Sequence, residues 1–340
     1  MNQDFERIAA AAKPLNGDTA LLSPITLATL SLPDLLTLDI PDRRKLLPWL
    51  PEGGLAMIYG PRGIGKTYFS LSLAVALATP TPFLRWPVSE PCGVLIVDGE
   101  MALSALRERL TLLITAPPKA RLATLSHEVF YRRTERDLDL GVEDLQDGLK
   151  ADLEANPDIR VVILDNLSCL LPRVREDQRD DWTRYALPLL LWLRRRRVAV
   201  VLVHHGGKSG DQRGTSSRED ALDRVVKLGR LPDASPKEGA RFLVSFPKSR
   251  GAFGAEVEDI EAHLDTDASG LLAWTWKPAE LSTADRLLQL IRDGIESGSE
   301  AAEELGVTRG QVSKLKKKLQ KAGKLAPGPI LRLVGPEDDA

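Results

Sequence analysis

Residues 55–78 read LAMIYGPRGIGKTYFSLSLAVALA. A short apolar run, LAMIY, stops at a glycine, and a helix-forming run begins eight residues later. The eight between, GPRGIGKT (60–67), satisfy G-x-x-x-x-G-K-[ST] at each fixed position. Strand, glycine loop and helix form the setting in which that pattern holds phosphate. Gly60, Gly63 and Gly65 let the backbone curl so that its amides face a β-phosphate. The helix N-terminus adds partial positive charge at the same place. Lys66 is expected on the β- and γ-phosphates and Thr67 on Mg²⁺. Pro61, Arg62, Ile64 and Tyr68 complete the candidate nucleotide-binding stretch, so the implied cofactors are ATP and Mg²⁺.

Further along the chain, VLIVD (94–98), VVILD (161–165) and VAVVLV (198–203) are apolar runs of strand length. Runs without alternation suit strands buried on both faces of a parallel sheet. Their alternation with helical stretches predicts an α/β, doubly wound core with a mostly parallel twisted sheet. RFLVSF (241–246) and LLAWTW (271–276) are expected as the two strands of an edge hairpin. Pro188 is expected to kink the helix that carries ALPLLLWL and ends in the four arginines 194–197. Those arginines suit a helix C-terminus, where cations offset the dipole. Prolines at 14, 24, 33, 41 and 48 break up the first residues. The expected division is an N-terminal arm (1–44), a nucleotide-binding domain (45–278) and a small C-terminal domain (279–335).

The formal net charge of -2 supplies no global field toward nucleic acid or a membrane, so any such attraction must be local. Cys92 and Cys169 stand far apart and form neither a disulfide framework nor a zinc pattern. No apolar stretch is long enough to span a bilayer, and no signal pattern opens the chain. A cytoplasmic protein without membrane partners is the expectation.

Phosphate chemistry needs more than a cradle. Asp165, ending VVILD, is the candidate metal-side carboxylate, and Asn166 and Ser168 follow it as candidates to hold water. VLIVDGEM (94–101) places Asp98 and Glu100 at the end of another strand. One carboxylate near the metal and one polarising water can divide the work of hydrolysis, and Glu100 is the candidate for the second task. A third strand ends in His204-His205. Side chains alternate on a strand, so only one of the two faces a bound nucleotide, and the run leaves open which.

The series GPRGIGKT, VLIVDGEM, VVILDNLS and VLVHHGGK, in that order over residues 45–275, resembles the RecA-like ATPases. Within that group it is most similar to the plasmid RepA-type hexameric helicases, and it is similar too to the DnaB-like and KaiC-like branches. The resemblance implies a RecA-like P-loop core in which Glu100 is the catalytic base. His204 or His205 would then be a γ-phosphate sensor feeding a DNA-binding loop. The loop GGKSGDQRG (206–214) would line a ring's channel, with Lys208 and Arg213 on a single strand's phosphates. FPKSRG (246–251) matches a K-x-R pair of related hexamers, so Lys248 and Arg250 would reach a neighbour's γ-phosphate.

Residues 299–319, SEAAEELGVTRGQVSKLKKKL, have the spacing of a helix-turn-helix, with Thr308 as N-cap of the second helix. Arg309, Gln311, Ser313, Lys314 and Lys317 are the candidate DNA contacts on it. Residues 305–334 contain eight Lys or Arg and no acid, and KLAPGPILRLV (324–334) is the candidate wing of a winged helix. The combined expectation is a homo-oligomeric, hexameric DNA motor of plasmid or mobile-element replication, with single-stranded DNA in the ring and duplex at the C-terminal domain. The alternative is a non-motor ATPase switch that binds DNA for regulation, recombination or defence.

Overall fold

The computed structural model describes residues 25, 28–40, 42–175, 178–206, 220–231, 234, 238–280, 283–328 and 331. Its chain divides into two compact units, Met1–Pro278 and Ala279–Ala340.

In the first unit, helix α1 (Leu32–Thr37) is capped by Ser31, whose hydroxyl accepts from the Asp34 amide. A short ladder, β1 (Lys45–Leu47) with β2 (Leu50–Pro51), leads into the main sheet. Strands β3 (Leu55–Gly60), β4 (Gly93–Asp98), β5 (Leu122–Ser126), β6 (Ile159–Asp165), β7 (Ala199–His205) and β8 (Arg224–Gly229) follow. With β9 (Ala240–Ser249), β10 (Ile260–Thr266) and β11 (Leu272–Pro278) they make a nine-stranded sheet in the order β11-β10-β9-β8-β3-β7-β6-β4-β5. The six from β8 to β5 are parallel; β9, β10 and β11 extend the sheet antiparallel. This is the mixed α/β class with a mostly parallel core sheet.

The helices are α2 (Lys66–Ala78), α3 (Leu103–Leu113), α4 (His127–Thr134), α5 (Glu143–Ala155), α6 (Leu167–Leu170), α7 (Arg179–Asp181) and α8 (Leu187–Arg195). They bury the two sheet faces separately. Ala56 and Ile58 of β3, with Ala199, Val201 and Val203 of β7, pack on α2 and α3. Leu55, Met57 and Tyr59, with Val200 and Leu202, pack on α5 and α8. Period-two alternation thus serves two apolar cores, which is why these strands read as unbroken apolar runs. On the α2 face, Phe69 meets Phe83 at 4.8 Å, Phe242 at 6.0 Å and Trp274 at 6.2 Å, joining the antiparallel extension to the helix.

Two expectations need correction. The strands holding RFLVSF and LLAWTW do not pair with each other, because β10 lies between them. Strands β5, β8 and β10 stand where the apolar runs predict none. Pro188 sits in the first turn of α8, where its missing N–H is tolerated, directly after a π-helical turn over Trp182–Ala186. Arg194 at that helix's end pairs with Asp223 at 2.8 Å, and Asp223 also accepts from the Leu55 amide at 2.9 Å, so the arginine tethers α8 to the start of β3.

In the second unit, α9 (Thr283–Arg292), α10 (Gly298–Leu305) and α11 (Arg309–Lys321) share a core of Leu287, Ala301, Leu305, Val312 and Leu319. Gly306 turns the chain with φ +65°. Thr308 and Gln311 form a capping box that starts α11. Of the candidate wing, residues 324–328 and 331 are described and the other five lie outside the described residues.

Candidate functional site

The site lies where β3, β4, β6 and β7 end. At the start of α2, Gly65 takes φ +109°, and a Cβ there would stand 2.6 Å from the Ala240 Cβ, so only glycine lets the loop turn under β9. At Gly60 a Cβ would meet the Leu228 carbonyl oxygen at 2.5 Å. Lys66 is buried, and its Nζ donates to the carbonyls of Gly60 at 3.0 Å and Pro61 at 2.9 Å. Burial lowers its pKa from 10.5 to about 8, with Asp165 and Glu100 holding it up and Arg62 pushing it down. Arg62 and Gly63 are exposed while Ile64 is buried in the α2-side core. The Tyr68 ring lies under the Arg109 guanidinium at 4.7 Å.

Register selects the polar side chains that face α2. Asp98 pairs in register with Asp165, and both continue the rows Val94–Ile96 and Val161–Ile163 that pack on that helix. Asp165 is buried, accepts from the Ser70 hydroxyl at 3.2 Å and is hydrogen-bonded by Thr67. Burial raises its pKa. Thr67 and Asp165 therefore present a hydroxyl and a carboxylate in contact, a hard-oxygen pair that fits Mg²⁺. Asp98 accepts from the Met101 amide at 3.2 Å, and burial, with Asp165 adding to it, raises its pKa to about 6. Glu100 extends past the end of β4 and is exposed.

The same parity separates the histidines. His205 continues the row Val201–Val203 and has its Nε2 3.7 Å from Glu100 Oε2. His204 continues Val200–Leu202 onto the opposite face, where it lines a small cavity with Leu167, Leu171 and Trp182. Of the pair, only His205 stands among the site carboxylates.

Asn166 carries more of this geometry than its sequence position suggests. It is buried, and its Nδ2 contacts both Glu100 Oε2 and, at 3.2 Å, His205 Nε2. The only sequence signal was its place directly after Asp165.

The remaining candidates lie elsewhere. Lys248 pairs with Val225, which is level with Met57, and the Arg250 amide donates to the Asp223 carbonyl at 2.9 Å. The pair is therefore set back from the cradle toward the other end of β3, by about 10–16 Å along the strand. Arg250 is exposed. Lys208 and Arg213 lie outside the described residues. On α11, Arg309, Gln311, Ser313, Lys314 and Lys317 are exposed, but the Gln311 carbonyl is taken up by the Thr308 amide at 2.9 Å. No helix among the described residues is long and apolar enough to cross a membrane.

Strand order, glycine cradle, buried lysine and flanking carboxylates together define a P-loop ATPase of the RecA-like class. The chain belongs to the AAA domain family, which matches residues 23–211. A KaiC-like protein from the hyperthermophilic archaeon Pyrococcus horikoshii is similar in structure, with 15% identity and a TM-score of 0.46 over 70% of this chain and 99% of that one. No curated protein matches the chain.

Proposed function

We propose that the chain is a ring-forming ATPase that moves along or unwinds DNA, in the manner of a RepA-type helicase, with Ala279–Ala340 as a duplex-binding appendage of winged-helix type. Plasmid or mobile-element replication is the setting this implies. Lys66 and the loop amides hold the triphosphate, and Thr67 and Asp165 hold Mg²⁺. Held by Thr67 and Asp165, the metal would supply charge neutralisation to the triphosphate. Glu100 orients a water for attack on the γ-phosphorus and takes its proton as the bond to the β-phosphate oxygen breaks. Lys248 and Arg250 act on a neighbouring copy's nucleotide, which their distance from the chain's own cradle supports.

One observation carries the coupling to DNA. His205, in reach of Glu100, is the last residue of β7 and runs directly into the glycine-rich segment that holds Lys208 and Arg213. A change at the γ-phosphate therefore has a covalent route into a basic segment. The exposed cations of α11 support duplex binding by the second unit.

The test is the ATPase rate with no DNA, with single-stranded DNA and with duplex, beside solution mass with a non-hydrolysable nucleotide. Stimulation by single strands in a six-fold assembly is expected, and Lys66→Ala should abolish turnover while leaving the fold intact. Indifference to DNA would favour the switch reading over the motor. Deleting residues 280–340 should weaken duplex binding more than single-strand stimulation.

A further inference from the structure

The Asn166 side chain is held in one orientation. Its Oδ1 accepts from the Cys169 amide at 3.1 Å, as the N-cap of α6. That backbone donor assigns the amide, so Nδ2 must be the end facing Glu100 and His205. Nδ2 has two hydrogens and meets two acceptors, Glu100 Oε2 and His205 Nε2. His205 then carries its proton on Nδ1. The contrast in burial matters: Asn166 is 1% exposed, whereas 56% of the Glu100 side chain is in solvent. A glutamate so exposed samples several rotamers unless something fixes it. Asn166 is a rigid buried group in contact with it, one residue from Asp165.

We infer that Asn166 is the positioning residue of the hydrolytic site: it anchors the Glu100 carboxylate beside the cradle and ties it to the tip of β7 through His205. One Glu100 oxygen accepts from the amide, and the other stays available to a water. The inference rests on the assignment of Glu100 as the hydrolytic carboxylate. It adds that Glu100 works at full rate only while the buried amide donates to it.

Asn166→Asp separates this role from the structural one. Aspartate keeps an oxygen for the Cys169 amide and is as good an N-cap as asparagine, but it removes both donors and sets a carboxylate against Glu100. Steady-state and single-turnover ATPase, affinity for a fluorescent non-hydrolysable ATP analogue, and thermal melting are measured on Asn166→Asp, Glu100→Gln and the double variant. In Asn166→Asp, kcat should fall about ten- to a hundredfold, the scale of a misplaced catalytic group. KM and analogue affinity should stay near wild type, while melting falls somewhat because a carboxylate then occupies a buried place beside Glu100. The double variant should be no slower than Glu100→Gln in single turnover, because Asn166 acts only through Glu100. Wild-type kcat in Asn166→Asp overturns the inference, as does a loss accompanied by weakened analogue binding, or one that compounds that of Glu100→Gln. Normal turnover by Glu100→Gln removes the assignment of Glu100 and this inference with it. Slow Glu100→Gln beside fast Asn166→Asp removes the inference alone.

Discussion

Lys66 is a cation that the fold makes costly to keep. Burial brings its pKa to about 8, against 10.5 in water, even with Asp165 and Glu100 near. Above that pH the free protein holds fewer protons than an unburied lysine would. A bound triphosphate restores the charge, so binding takes up a proton rather than releasing one. The Lys66 share of the uptake should be near zero at pH 6.5 and about half a proton at pH 8, read as the difference between wild type and Lys66→Arg by titration calorimetry in buffers of different ionisation enthalpy. Lys66→Arg, charged throughout, lacks this share; a pH-independent difference would remove the assigned environment. At this scale, the residues named by a fixed pattern were legible and those selected by register were not. Lys66, Thr67 and Asp165 follow from spacing. Choosing His205 over His204 needed the pairing of β7, because both faces of that strand are apolar and its run shows no alternation. Asn166 is legible only as a water-holding candidate after Asp165, because its contacts with Glu100 and His205 join residues remote in sequence.

Strand β9 does two things at once. Its first residue, Ala240, closes over Gly65, and its last residues bring Lys248 and then Arg250 toward the opposite end of the sheet. A methyl at position 65 would meet the Ala240 Cβ at 2.6 Å and would also hold a non-glycine residue at φ +109°. Gly65→Ala should therefore cost about 1–3 kcal/mol from the backbone alone and lose nucleotide binding. Adding Ala240→Gly removes the clash but not the strain, so it should recover part of the denaturation midpoint and no more. Full recovery would mean the turn is not strained, and no recovery would mean β9 does not crowd it. The strands legible in the sequence were those with long apolar runs. Strand β10 was legible in principle, since Ile260, Ala262 and Leu264 are inward and Glu261, His263 and Asp265 alternate with them. Strand β8, with Arg224 and Lys227 in six residues, and the half-buried β5 gave weaker patterns.

A sheet that places its phosphate cradle at one end and a basic pair toward the other cannot bring both to the same nucleotide within one chain. If the pair acts, it acts on another copy, and each nucleotide then sits at a boundary between copies. The architecture of one chain was readable from its strand runs, but boundaries between copies leave no periodic mark in a sequence, so the trans assignment needs a functional test. Glu100→Gln and Arg250→Ala subunits should each be nearly inactive alone. Mixed in equal amounts, they form boundaries in which an Arg250→Ala subunit supplies an intact cradle and Glu100, while its Glu100→Gln neighbour supplies Arg250. Random assembly makes about a quarter of all boundaries of this kind, so the mixture should regain on the order of a quarter of the wild-type ATPase rate. The recovered rate should follow the product of the two mole fractions as the ratio is varied. A mixture that stays at the floor at every ratio, while mass measurement shows mixed assemblies, would place Arg250 outside the reaction and leave its exposure at the end of β9 as surface charge only.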